Sequence, residues 1–134
     1  MQFSVSRRGL PGAASLRRWA RAAAASMPVT VRIVGTSEAR RLNSNYRSRN
    51  RATNVLSFAY GDGTGDLVLC HPLIAREAHA QRKPLAAHYA HLVVHGLLHL
   101  RGYDHETRQH ATRMERVETR VLRRLGFADP YAVR

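Results

Sequence analysis

The residues best suited to chemistry lie in one short segment, His91-Leu92-Val93-Val94-His95-Gly96-Leu97-Leu98-His99-Leu100-Arg101-Gly102-Tyr103-Asp104-His105. Residues four apart on an α-helix share a face and stand about 6 Å apart along the axis, so two imidazoles at that spacing can reach one metal ion. His95 and His99 meet this condition. Gly102 then lets the chain turn back, because glycine accepts backbone angles that other residues resist, and His105 can arrive as a third ligand. Three neutral imidazoles at about 2.0–2.1 Å leave a fourth tetrahedral position open, the layout of a catalytic zinc site and not of a structural one. Spacing alone leaves other pairings in play, since His91 and His95 are also four apart and His88 lies on a neighbouring part of the surface. An isolated helical histidine is ordinarily structural or solvated, and this is the reading for His71, His79, His88 and His110. The H-x-x-x-H-x-x-G-x-x-H spacing sets His95, His99 and His105 apart from them.

The same spacing occurs in the metzincin peptidases, whose H-E-x-x-H places a glutamate beside the metal as general base. Here that position is Gly96. Asp104 and Glu106 flank His105 and are the available substitutes, although Asp104 could equally orient an imidazole from behind. A peptidase with an unusual base is therefore the second reading, behind hydrolysis that needs no carboxylate base.

These residues require elements to hold them. Phe3 and Val5 weakly suggest a first strand, and Leu16, Trp19, Ala20, Ala23 and Met27 fall at helical spacing with arginines opposite, a helix ending before Pro28. Val29 to Val34 reads as a strand, and Thr36 or Ser37 can cap a short helix through about Tyr46. Thr53 to Tyr60 is apolar on both parities and reads as a buried strand, with Val55 to Phe58 assigned to the core. Asp66 to Cys70 is a further strand, its Leu67 to Leu69 also core. Pro72 and Pro84 each suit the first turn of a helix, the second of which carries the histidines. From about Glu106 to Leu125 an apolar stripe of Met114, Val117, Val121, Leu122 and Leu125 predicts a last helix, with Gly126 as its C-cap. The expectation is an α/β (α+β) single domain over residues 1–134, a small mixed β-sheet packed with helices, with the three-histidine site at the end of a central helix.

Composition narrows the function. The chain has 134 residues, 44% of them hydrophobic and 23% charged, enough for one core. No uninterrupted apolar run approaches the roughly 20 residues that span a bilayer, so no membrane role is expected. The 22 basic residues outnumber the 9 acidic ones for a net charge of +13, all but Lys83 being arginine. Such a surface attracts polyanions, although an Ala- and Arg-rich composition is also what a GC-rich genome produces. Cys70 is the single cysteine, which excludes an intrachain disulfide and fits a reducing, cytoplasmic setting. Residues 1–37 carry no acid and include Arg7-Arg8, but Arg17, Arg18 and Arg21 interrupt any signal-like apolar region, so the segment is read as part of the domain.

The run from His95 to His105 resembles the signature of the bacterial YbeY family, metal-dependent endoribonucleases of ribosomal RNA maturation. Leu42-Asn43-Ser44-Asn45-Tyr46-Arg47, Thr53 to Phe58, Gly65 to Leu69, Lys83-Pro84-Leu85 and Leu125 to Tyr131 are similar to family blocks in the expected order, covering about residues 36–131. The resemblance implies that His95, His99 and His105 hold one Zn2+ and that Arg47 is the catalytic residue outside the ligand set. It implies single-strand-specific cleavage of RNA in 16S rRNA 3′-end maturation and late 70S ribosome quality control. The implied partners are ribosomal subunits, a small-subunit ribosomal protein and a ribosome-associated GTPase. Arg49 and Arg51, in the same loop, are candidate RNA contacts, with a solvated loop the equal alternative. Tyr46 and Tyr60 could stack on bases, though core packing is the stronger expectation for both. The chain is shorter than most relatives and lacks the longer insert that many carry between Phe58 and Gly65, so RNA contacts from that loop are expected to differ. A third reading, a ribosome-assembly factor with structural zinc, stands less well with only three ligands.

Overall fold

Alternation along the strands determines the layers. In the computed structural model, which describes residues 1–24, 26–47 and 53–132 with backbone alone at 46 and 47, strand β2 (Val29–Val34) buries Val31 and Ile33 on one face. Its neighbour β4 (Gly65–Cys70) buries Leu67 and Leu69 on that same face and Val68 and Cys70 on the other. A strand with both faces buried reads as a continuous apolar run, which is what Leu67-Val68-Leu69-Cys70 is. β1 (Gln2–Phe3) and β4 run parallel to β2, and β3 (Val55–Ala59) pairs antiparallel with β4, giving the order β1-β2-β4-β3.

One face of this mixed sheet is covered by α1 (Ala13–Ala24) and α4 (Leu85–Leu100), with α5 (Arg108–Arg124) packed on α4. The other face is covered by α2 (Thr36–Arg47), whose Ala39 joins Val34, Leu56, Val68 and Cys70, and by Leu73 of α3 (His71–Ala80). The larger core lies on the α1/α4 side, where Leu16, Trp19, Ile33, Leu69 and Leu98 are buried. Each such side chain contributes about 1.5–3 kcal/mol relative to exposure. The expected α/β fold with a central helix is the observed one.

Three expectations need correction. Val55 to Phe58 is an edge strand, paired among the described residues with β4 alone, and only Leu56 of it is buried, while Val55 and Phe58 are half-buried against the two core clusters. Its apolar residues on both parities arise because Leu56 turns to the α2 side while Val55 and Ser57 turn to α4. Tyr60 is 58% exposed and not core: it lies just past the strand end, where its hydroxyl donates to Asp66 at 2.7 Å. The first helix also stops at Ala24, short of the Met27 expected to extend it.

Helix α4 is the central element. From His88 to Leu100 every residue is buried except His91, His95 and His99, which form one stripe at four-residue spacing. Burial this complete requires close approach to the sheet, and Gly96 provides it. A Cβ there would stand 2.2 Å from Leu67 Cδ1, 3.2 Å from Ser57 Oγ and 3.4 Å from Val55 Cγ2. The Gly96 carbonyl also accepts a 3.2 Å hydrogen bond from Ser57 Oγ. Gly96→Ala is therefore expected to destabilise the fold by a net ~1–2 kcal/mol, the overpacking cost outweighing a helix-propensity gain of about 1 kcal/mol. Urea denaturation measures it, and an unchanged or raised midpoint would refute the close-packing argument.

Candidate metal centre

The stripe on α4 supplies two of the three expected ligands, and the end of the helix supplies the third. Arg101 is the C-cap, and Gly102 follows at φ +99°, in the left-handed region that favours glycine. Gly102 N–H donates to the His99 carbonyl at 3.0 Å and Tyr103 N–H to the Leu98 carbonyl at 3.0 Å, the paired bonds of a Schellman turn. Arg101 Nη1 also donates to the Ala23 carbonyl at 2.7 Å, tying the turn to the end of α1. The reversal brings His105 back over the helix. Ring centroids are 5.1 Å apart for His95 and His99, 5.0 Å for His99 and His105, and 5.6 Å for His95 and His105.

Ligand-capable atoms of His95, His99 and His105 all lie within 4.8 Å of one another. Imidazole nitrogens bound tetrahedrally at about 2.0–2.1 Å are separated by about 3.4 Å, which small side-chain rotations reach from here. His95 Nδ1 is held by Glu118 Oε1 at 2.8 Å, the carboxylate support that metal-ligating histidines usually have. An imidazole set with one member backed this way suits a borderline divalent ion. The residues fit a metal.

The trio opens onto a cleft of about 550 Å³ lined also by Asn43, Thr53, Val55, Ser57 and Ala59. Edge strand β3 forms one wall and the histidines the other. Buried Asn43 contributes from α2, and Arg47 is the last residue of that helix, one turn further on. Arg49 and Arg51 lie outside the described residues.

The peptidase alternative fails at Gly96. The position that would carry the general base faces Leu67 and Ser57 in the packed interface, so no carboxylate can stand there without opening the sheet. Asp104 accepts from Glu106 N–H at 3.1 Å and pairs with His110 Nδ1 at 2.9 Å, steadying the loop before α5 and not a ligand imidazole. Those bonds hold its carboxyl below the usual range.

The structure adds a residue that sequence reasoning passed over. Glu118 is fully buried on α5 and its carboxylate meets His95, His91 Nε2 at 3.0 Å, and the Tyr131 hydroxyl. Burial pushes its pKa up, but hydrogen bonds from His91, His95 and Tyr131 outweigh this and hold it down at about 2. A signal existed in the sequence: Glu118 interrupts the apolar stripe of Met114, Val121 and Leu122, where an acid has no place unless paired. His91 belongs to this cluster, and its Nε2 is also 3.1 Å from the Tyr131 hydroxyl.

The histidines expected to be structural lie away from the trio. His71 Nδ1 is 2.7 Å from the Tyr89 hydroxyl, and buried His88 pairs through Nε2 with Glu77 Oε1 at 2.9 Å. Burial lowers the pKa of both, more than Glu77 raises that of His88. His79 is exposed on α3.

Fold and site together define the class: an α/β domain with a three-histidine cluster that could hold a metal ion, opening on a cleft. The family profile described as Endoribonuclease YbeY matches residues 14–126, and the chain belongs to that family. An Endoribonuclease YbeY from Aromatoleum aromaticum is 56% identical over 126 residues, covering 91% of this chain and 82% of that protein. One from Nitrosomonas eutropha is 46% identical over 138 residues, covering 99% and 97%. The solution structure of TM1509 from Thermotoga maritima matches with a TM-score of 0.61 at 21% identity over 98% of both chains, a likeness of fold. No helix among the described residues is long and apolar enough to cross a membrane.

The chain is expected to bind one divalent ion and to melt at a lower temperature when chelator removes it. His99→Ala and His105→Ala should lose both properties, and His79→Ala should keep them. Metal titration followed by thermal melting tests this, and undiminished binding by either of the first two variants would refute the ligand assignment.

Proposed function

We propose that residues 1–134 form a single zinc-dependent, single-strand-specific endoribonuclease domain that hydrolyses RNA phosphodiester bonds. One observation carries this reading: in a chain of the endoribonuclease YbeY family, three imidazoles converge on an open cleft at a point where packing forbids the peptidase glutamate. The net charge of +13 supports a polyanionic substrate.

His95, His99 and His105 would hold Zn2+, which when bound supplies a Lewis acid to the scissile phosphate and lowers the pKa of water toward roughly 7. The chain's own groups do the rest. Arg47 supplies a planar, permanently charged donor fork to the phosphate and stabilises the charge that builds up in its trigonal-bipyramidal transition state. Arg49 and Arg51 grip neighbouring phosphates. The open β3 wall admits a single strand whose bases are free of a partner. The physiological substrate is 16S rRNA at its 3′ end and the defective 70S ribosome. Ribosomal subunits, a small-subunit ribosomal protein and a ribosome-associated GTPase are the partners, and the cytoplasm is the compartment.

Incubating metal-loaded protein with single-stranded RNA, duplex RNA and casein, each with and without chelator, tests the reading. Cleavage of single-stranded RNA alone, abolished by chelator, is expected; chelator-insensitive RNA cleavage or hydrolysis of casein would overturn it. In the same assay Arg47→Ala should lose cleavage while still binding metal, and wild-type cleavage by that variant would remove its assigned role.

A further inference from the structure

Glu118 is a costly residue to bury. An ionised carboxylate in a protein interior loses hydration worth several kcal/mol and persists only where hydrogen bonds replace the lost water. Here the replacement comes from three groups on two other segments, His91 and His95 on α4 and Tyr131 beyond α5. The C-terminal segment is shaped to deliver Tyr131. Gly126 at φ +91° ends α5 in a second Schellman turn, with Phe127 N–H on the Leu122 carbonyl at 2.9 Å. Asp129 then accepts from Tyr131 N–H at 2.8 Å and from Thr119 Oγ1 at 3.2 Å, folding the segment back along the helix.

An ionised carboxylate can only accept hydrogen bonds. A neutral imidazole is free to carry its proton on either ring nitrogen, and only the nitrogen without it can bind a metal. Contact with Glu118 Oε1 therefore requires the proton on His95 Nδ1 and leaves Nε2 with its lone pair. His91, on the same carboxylate but one helical turn further from His99 and His105, is outside the trio whose atoms converge.

We propose that Glu118 is a positioning residue that fixes His95 in the Nδ1–H tautomer and in one ring orientation, with Tyr131 clamping the carboxylate and His91 acting as its second donor. The proposal rests on the reading of His95 as a metal ligand. It also explains why His91 and His95, indistinguishable by helical spacing, have different tasks. The other use of the same atoms is a second metal site, since ligand-capable atoms of His91, His95 and Glu118 also lie within 4.8 Å of one another. Direct hydrogen bonds from both histidines to Glu118, with a third from Tyr131, favour the positioning role.

The test combines 15N NMR of the histidine rings in metal-free protein, at a pH where the imidazoles are neutral, with metal titration of the wild type, Glu118→Gln and Tyr131→Phe. His95 should be the Nδ1–H tautomer in the wild type and lose that preference in Glu118→Gln. The wild type should bind one ion, with affinity lowered about 10–100-fold in Glu118→Gln and less in Tyr131→Phe. An Nε2–H tautomer at His95 in the wild type overturns the proposal without any variant having to fold. Two bound ions, the second lost in Glu118→Gln, overturn it by making Glu118 a ligand. A wild type that binds no metal refutes the metal reading instead, and the tautomer still decides the role of Glu118.

Discussion

The contact of α4 with the sheet at Gly96 is the constraint from which the site follows. With no side chain at that position the helix backbone settles against Leu67, Ser57 and Val55, and the residues around its circumference are buried except along one line. Histidines occupy that line. A helix packed this closely cannot rotate to accommodate a ligand, because interiors at crystal-like density resist small displacements. His95 and His99 are thus held by core packing, and only His105 depends on a turn. The same contact excludes the glutamate that the H-x-x-x-H spacing has in zinc peptidases, so one steric fact both builds the centre and removes one chemistry from it.

Around this apolar constraint the chain uses histidine–carboxylate pairs for two purposes. His88 and Glu77, joined by Asn54 at 3.1 Å, pin α4 to α3 and to the segment before β3, and none of the three lines the cleft. His91, His95 and Glu118 pin α4 to α5 with similar bond lengths, but one of their imidazoles also faces the cleft. Residue type does not separate these uses; position on the helix does. His88 falls on the buried side and His95 on the open stripe.

Much of the architecture was legible in the chain because its signals are local. The strands at Val29–Val34 and Gly65–Cys70, the prolines opening α3 and α4, and the glycines at 102 and 126 all act within a few residues. Thr53 to Tyr60 reads as a buried strand, and the strand is there at Val55–Ala59 with Leu56 buried and Val55 and Phe58 against the core, but it is an edge: an apolar run on both parities says that both faces are partly covered, not that both edges are paired. Edge position depends on which strand lies beside which, and β3 reaches its partner β4 across a turn while nothing pairs with its other side among the described residues. Glu118 was passed over for a related reason: its histidine partners are 23 and 27 residues away in the chain, on another helix.

By itself the sequence determined the three histidines, the turn that unites them, the absence of a glutamate beside them and the excess of positive charge. Each is a matter of residue type or short spacing, which helix geometry converts directly into proximity. Only the tertiary structure decided that Gly96 sits in a close contact with the sheet, that β3 is an edge forming one wall of the cleft, and that a buried Glu118 on α5 hydrogen-bonds both His95 and His91. Those facts depend on how α4 lies against the sheet and α5, and that docking comes from the summed burial of residues far apart in the chain, which no local pattern records.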